Sequence, residues 1–360
     1  MTQTSRSRGM THKRVIVVGA GQAGLAMGYS LLRNGLRPQE DFVLIDSAHR
    51  DERSWRSRWR SLTLFTSARY SALPGIPFPG DPDRYPRADE VDTYLGGYAD
   101  QLGIRPIWGT RALSVAVSTG SRSLTLRTSD GDFETRNVVA ATGPFSTPQF
   151  PPFAERTRVP GHNLHSSEYT HPEQVPPGSV LIVGSGNTGR QLAAELCRSH
   201  DVTLACGSSQ PELPQRLMGR DIFAWLKHSG LLAAPVPAFA RADVSNRELV
   251  IGTSLKQLHD LGVHTVGRVI GAEEGVFQIE HGPSVSPVSV IWATGFDPGA
   301  AWLPSEIRGK RGVVEQRRGT TSIAGLFVLG MPWMRSRGSA LLTGVGADAS
   351  HLARIIKDRP

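Results

Sequence analysis

Two stretches of this chain share one pattern. Val15-Ile-Val-Val-Gly-Ala-Gly-Gln-Ala-Gly24 is a short β-branched run that breaks into glycines, and Val180-Leu-Ile-Val-Gly-Ser-Gly-Asn-Thr-Gly189 repeats it 165 residues later. Each run is apolar throughout, as a parallel strand buried on both faces must be. Each glycine cluster opens a helical pattern, and a second strand follows, expected at residues 41–46 in the first copy and 200–206 in the second. Gly19, Gly21 and Gly24, and again Gly184, Gly186 and Gly189, stand in G-x-G-x-x-G spacing. The first glycine of such a turn permits the bend, the second lets a pyrophosphate approach the backbone, and the third lets helix and strand close up. The anion then meets free N–H groups at the positive end of a helix. Repetition at this scale predicts two similar domains rather than a solenoid.

A shorter pair repeats as well. Residues 138–144 and 290–296 each run from a strand into Ala-Thr-Gly, at Thr142-Gly143 and Thr294-Gly295, downstream of their own glycine cluster. The proline-bearing stretch 144–152 reads as a linker. Residues 105–137 alternate apolar and polar side chains around Asp130-Gly131, which predicts a small antiparallel meander. A strand at 325–329, Gly330, a glycine-rich loop and a helix at about 345–357 predict a return of the C-terminus to the first domain. The expected fold class is α/β with two Rossmann-like dinucleotide-binding domains, one inserted in the other. Residues 12–150 and 290–360 would form one domain and 151–289 the second.

Composition excludes several alternatives. The 360 residues suffice for two cores, and 39% hydrophobic with 20% charged residues is a globular balance, not a disordered one. No apolar run reaches the ~18 residues of a membrane span, and residues 1–14 carry no apolar signal core, so a cytoplasmic location is expected. The net charge of +8 admits nucleic acid in principle. The arginines are scattered, however, apart from a local run at Arg50, Arg53, Arg56, Arg58 and Arg60. Phosphate-rich cofactors explain the charge with fewer assumptions, and no nucleic-acid partner is expected. The histidines show no H-x-x-x-H spacing, so no metal is expected. Cys197 and Cys206 form no C-x-x-C pair, which counts against a redox dithiol. Leu231, Leu232, Val236 and Phe239 read as core, with a pocket wall or membrane-facing lid as the alternatives.

The two copies differ after their second strands. Asp46, 22 residues past Gly24, is placed to accept from ribose hydroxyls and would repel a 2′-phosphate. Residues 205–209 of the second copy, Ala-Cys-Gly-Ser-Ser, carry no acid and so permit NADP. Arg216 and Arg220 are the nearest following arginines for a 2′-phosphate.

Further residues carry a family resemblance. Val159-Pro-Gly-His-Asn-Leu-His-Ser-Ser-Glu-Tyr169 resembles the signature of class B flavin monooxygenases, F-x-G-x-x-x-H-x-x-x-(Y/F/W), with Gly161, His165 and Tyr169 matching and Val159 in place of Phe. Trp55-Arg56, the stretch Leu64-Phe-Thr-Ser-Ala-Arg-Tyr-Ser-Ala-Leu-Pro-Gly75, Gly219-Arg-Asp-Ile-Phe223 and Arg337-Gly-Ser-Ala-Leu-Leu-Thr-Gly-Val-Gly346 also resemble bacterial members of the flavin-containing monooxygenase-like branch. The resemblance covers nearly the whole chain and fits the disulfide-reductase-like superfamily.

What the resemblance implies is FAD on the first glycine turn and NADPH on the second. Trp55, Thr142, Gly143, Gly330, Leu342 and Thr343 would join the flavin site; Asn187, Arg216, Thr294 and Gly295 would join the nicotinamide site. The reaction would run through a C4a-(hydro)peroxyflavin that oxygenates a small molecule with O2, at nitrogen or sulfur. Tyr169 favours that heteroatom branch, because Baeyer–Villiger members usually carry Trp there. Thr66 and Ser67 stand where many eukaryotic relatives place an Asn near the flavin, and His165 is either catalytic or a hydrogen-bonded structural histidine between the domains. The alternatives are Baeyer–Villiger oxidation of a ketone, an NAD(P)H:acceptor flavin reductase without a dithiol, and a nucleotide-binding protein without catalysis.

Overall fold

A computed structural model of the chain describes residues 11–118, 123–235, 249–309 and 313–359. Val236, Phe239 and most of the N-terminal stretch 1–14 lie outside these residues. The strands of the two larger sheets are, in chain order, β1 (Thr11–Val18), β2 (Phe42–Ile45), β3 (Ala112–Val117), β4 (Leu124–Thr128), β5 (Gly131–Ala140), β6 (Asn163–His165), β7 (Ser179–Val183), β8 (Asp201–Ala205), β9 (His264–Val266), β10 (Ser289–Trp292) and β11 (Leu326–Val328). The helices used below are α1 (Gln22–Arg33), α2 (Ala88–Gln101), α3 (Asn187–Leu196), α4 (Ile222–His228) and α5 (Leu342–Asp358).

The first sheet is built on β5, which is long enough to do two jobs. Its first half pairs antiparallel with β4, which pairs antiparallel with β3, forming the expected meander. Its second half lies parallel to β1 on one side and β11 on the other, with Val17 opposite Val139 and Phe327 opposite the same residue. β2 completes the sheet beyond β1, with Val17 opposite Leu44. Both faces are covered, so β1 and β2 are buried at four consecutive positions each. One face packs on α1, α2 and α5 through Leu25, Met27, Leu31, Val91, Tyr98, Val345 and Leu352. The opposite face closes over Ile16, Val138, Leu126, Trp302 and Leu326.

The second sheet is parallel throughout, in the order β9-β8-β7-β10-β6. Tyr169, Leu192, Leu196 and Leu258 fill one face; Phe277 and Trp292 fill the other. β10 lies here, between β7 and β6. The expected boundary at residue 290 therefore falls inside the second sheet and is corrected: the chain returns to the first sheet only with β11. The Ala-Thr-Gly repeat already implies this, because β5, its counterpart, belongs to the sheet of its own glycine turn.

The two connections between the sheets run side by side. Thr147–Pro148 and Phe296–Asp297 pair antiparallel, and the Gln149 N–H donates to Gly295 O at 3.0 Å. The last helix begins at Leu342, three residues before the expected start. Gly344 falls in the expected loop and Gly346 at the start of the expected helix. In the fold they are close contacts inside the first turns, where a β-carbon would strike Gly338 O and the Pro74 ring.

Candidate active site

The first glycine turn is shaped by backbone crowding. The Gly19 N–H donates to Ile45 O at 2.7 Å and Gly19 takes φ +110°, a left-handed conformation that favours glycine. A β-carbon there would strike Ala141 O, and one on Gly24 would strike Gly19 O. Gly21 is different: apart from its own residue and its chain neighbours, no described protein atom lies within 4 Å of where its β-carbon would be. Gly21 is also the N-cap of α1 and has no side chain to cap the helix. Open space beside uncapped N–H groups fits a phosphate.

The second turn repeats this atom for atom. Gly184 takes φ +112°, its β-carbon would strike Ala293 O, that of Gly189 would strike Gly184 O, and Gly186 has nothing within 4 Å. The repeated Ala-Thr-Gly acquires its reason here. Ala141 donates N–H to Val18 O, Ala293 donates to Val183 O, and the carbonyl of each alanine is the wall against its own glycine. Thr142-Gly143 and Thr294-Gly295 therefore leave each sheet directly beside a glycine turn. Gly330 lies against Ala23 in the first turn of α1, and Gln22 donates to Ala340 O at 2.7 Å. This brings Gly330 and Ala340, two residues before α5, to the first turn.

Several expected contacts take another form. Both Asp46 oxygens brace the turn: Oδ2 accepts from Ala20 N–H at 2.7 Å and Oδ1 from Ala48 N–H at 2.9 Å. Each keeps a second lone pair for a ribose hydroxyl. Trp55 packs half-buried against the first core. The Asn187 side chain is spent on protein, donating to Leu249 O and accepting from Ile251 N–H, both at 3.0 Å. It holds the 249–251 segment, with one N–H and one lone pair left over. Arg216 is corrected. It donates to Asp83 O at 2.8 Å and sits over the Tyr85 ring, tied to a loop of the first domain rather than to residues 205–209.

Thr66 and Ser67 lie at the junction of the domains. Thr66 Oγ1 is 2.8 Å from Ser71 Oγ, and Ser67 N–H donates to Asp221 at 3.1 Å. Asp221 is also the N-cap of α4, accepting from Phe223 N–H at 2.7 Å. Phe223 stacks on Phe65 with ring centroids 6.0 Å apart and packs on Tyr70, while Leu341 and Leu232 join the same cluster. Leu232 is therefore core as expected, whereas Leu231 is exposed. Ser67 Oγ is buried with no hydrogen-bond partner among the described residues. A buried hydroxyl in want of a partner is what a bound polar group would satisfy.

His165 is buried and fully engaged. Nδ1 accepts from Ser167 N–H at 3.2 Å, which leaves the proton on Nε2 to donate to Gly295 O at 3.1 Å. Its ring lies edge-on to Phe150 and Phe296. In this arrangement His165 clips β6 to the returning connection. Arg58 grips both connections, its guanidinium 5.5 Å from the Phe145 and Phe296 ring centres. The other signature residues are internal supports. Gly161 lies against Val288 and Ser289, and Tyr169 donates to Glu195 at 3.0 Å.

Burial pushes the His165 pKa down, because the folded chain disfavours the imidazolium. An unfolded histidine titrates near ~6.5. The stability His165 contributes is complete above that value and is lost as pH falls below it, since the unfolded chain then binds more protons. His351 shifts the same way. The melting temperature of the wild type should therefore fall between pH 7 and pH 5.5 more steeply than that of His165→Gln; equal slopes would remove His165 as the cause.

Sequence reasoning gave no individual role to Asp221, Arg58 or Arg190. Arg190 follows Gly189 directly and is 2% exposed, donating to Ser185 O, Thr253 O and Glu212. A buried arginine so close to a glycine turn had a signal only in its position on the inner face of α3.

Comparison with known proteins agrees with this geometry. The pyridine nucleotide-disulphide oxidoreductase family matches residues 16–226. An oxidoreductase named CzcO-like from Geobacillus kaustophilus is 38% identical over 94% of this chain and 96% of its own. A probable indole-3-pyruvate monooxygenase, YUCCA7 of Arabidopsis thaliana, is 26% identical over 95% of this chain and 86% of its own. The solved structure of a flavin-containing monooxygenase from Stenotrophomonas maltophilia superposes with a TM-score of 0.78 at 26% identity, covering 96% of this chain and 98% of that one. Enzymes of this kind use FAD and NADPH. The chain belongs to the pyridine nucleotide-disulphide oxidoreductase family and, within it, to the class B flavin-dependent monooxygenases.

Proposed function

We propose that the chain uses NADPH and O2 to oxygenate a small molecule at nitrogen or sulfur, with FAD on the Gly19–Gly24 turn and NADPH on the Gly184–Gly189 turn. The observation that carries this reading is the pair of glycine turns with protein-free space at Gly21 and Gly186, on two domains joined by one paired ribbon. The chemistry supplied by the bound flavin is reduction of O2 at the expense of the nicotinamide, with one oxygen atom passed to the substrate and the other leaving as water.

The chain's own residues bind, orient and exclude water. The N–H groups at the starts of α1 and α3 take the two pyrophosphates. Asp46 keeps the first turn in shape, and the free hydroxyl of Ser67 is available to a bound group. The Phe65–Phe223–Tyr70 cluster seals the junction beside Ser67 against solvent. Residues 11–150 with the return through β11 and α5 would be the flavin domain, and the β6–β10 segment the nicotinamide domain.

A thiol relay has no support. Cys197 ends α3 and Cys206 follows β8, both packed beside the second core, and burial pushes the Cys206 thiol pKa up, away from a reactive thiolate.

The test is product analysis with NADPH, 18O2 and parallel sulfide, amine and ketone substrates. Labelled sulfoxide or N-oxide in step with NADPH consumption is the expected result. Labelled ester would move the chemistry to Baeyer–Villiger oxidation. Hydrogen peroxide equal to the NADPH consumed, with no product from any substrate, would make the protein a reductase.

A further inference from the structure

A nicotinamide cofactor bearing a 2′-phosphate is recognised by a cation near the end of the strand that follows the turn helix. In this domain that strand is β8, and Ala205 to Ser209 supply no charge of either sign. The neighbouring strand supplies one. β9 lies parallel to β8 with Val266 opposite Ala205, and Cys206 N–H donates to Val266 O at 3.0 Å. Two residues on, the Arg268 guanidinium lies against Gly207. Its Nη2 donates to Gly207 O at 2.5 Å, and a β-carbon on Gly207 would stand 3.4 Å from Cζ.

We propose that Arg268 recognises the 2′-phosphate of NADPH and replaces the arginine that β8 lacks. The inference rests on the reading of the second glycine turn as the NADPH site. The side chain is fixed at its root and open at its tip. Arg268 begins a hairpin whose far strand returns at Glu280, and the Glu280 N–H donates to Arg268 O at 2.8 Å. The side chain is 54% exposed and its guanidinium uses one donor on Gly207, so charge and donors remain for an incoming anion. The exposed Ser208 and Ser209 follow next in sequence and bring hydroxyls. Glu280 stands 3.8 Å from Arg268 Nε and opposes an anion there. Its removal should sharpen the preference.

Binding of 2′,5′-ADP and 5′-AMP to the flavin-loaded protein, measured by calorimetry, isolates the 2′-phosphate without turnover. The wild type should bind 2′,5′-ADP more tightly, and the difference should shrink as salt is raised. Arg268→Ala should lose about 10- to 100-fold in 2′,5′-ADP affinity, the span of one charge-assisted contact, with 5′-AMP unchanged. Arg268→Lys should recover part of it, Glu280→Gln should bind 2′,5′-ADP more tightly, and Arg216→Ala should match the wild type. If Arg268→Ala binds 2′,5′-ADP like the wild type, the assignment of Arg268 fails while the NADPH reading stands. Equal wild-type affinity for the two ligands overturns the 2′-phosphate site and leaves Glu280 as a candidate acceptor for NADH ribose. If the wild type binds neither these ligands nor NADP+ nor NAD+, the reading of the second turn fails together with the inference.

Discussion

Gly21→Val is expected to purify as a folded, colourless protein, while Gly186→Val stays yellow. The reasoning lies in what surrounds each site. Apart from chain neighbours, no described protein atom comes within 4 Å of a β-carbon at either position, and Gly21 has φ −78° and ψ −165°, which valine adopts without strain. The protein alone should register the change by no more than about 0.5 kcal/mol. The added isopropyl group instead occupies the space where a pyrophosphate would sit. Flavin affinity should drop by at least about 100-fold, the loss of more than one charge-assisted hydrogen bond. The melting temperature of Gly21→Val should match that of the flavin-stripped wild type. Gly186→Val should keep its flavin and raise the KM for NADPH at least about tenfold, the loss of a single such bond. Equal loss of flavin in both variants would contradict the assignment of one cofactor to each turn. Gly24→Val and Gly189→Val would not serve, because those β-carbons strike backbone carbonyls and the fold itself must move.

Arg190→Met is the variant expected to cost most in stability. The guanidinium is 2% exposed and holds Ser185 O at 2.8 Å, Thr253 O at 3.2 Å and Glu212. Methionine can fill much of the volume but leaves two carbonyls and a carboxylate without their donor. Glu212 is 35% exposed and recovers water, so its share is discounted. The two carbonyls and the weakened ion pair together come to about 3 kcal/mol. A urea titration followed by Trp fluorescence should show the unfolding midpoint of the second domain moving down, with the first domain's flavin signal lost later. An unchanged midpoint would mean that water replaces the guanidinium at no cost. The NADPH KM should rise as well, since Ser185 lies inside the second glycine turn and Asn187 and Arg190 together pin residues 249–253 beside it.

The turns, the strands that feed them and the meander were legible because each is local. Gly19 and Gly24 touch within six residues, and Asp130-Gly131 closes a hairpin on its own neighbours. What escaped depends on partners far along the chain. Arg268 reaches Gly207 from 61 residues away, and Asp221 receives the Ser67 N–H across 154. Nearness in sequence also misled. Arg216 is the first arginine after β8, but the chain leaves β8 in a short hairpin toward Asp83 and carries it away from the strand end. Asn187 looked free because its partners, Leu249 and Ile251, lie 62 and 64 residues along the chain. The helix at 342–358 was expected late because glycine in a helix is costly unless close packing requires it, and at Gly344 it is the approach of Gly338 O that requires it.

The paired connections have a consequence for how such a protein can be rebuilt. Gln149 and Gly295 are hydrogen-bonded neighbours, so everything between them enters and leaves through one doorway. The intervening segment is a cassette. It can be exchanged for a nicotinamide module from another source by two cuts made side by side, with Arg58, Phe145 and Phe296 as the fittings that any replacement must match.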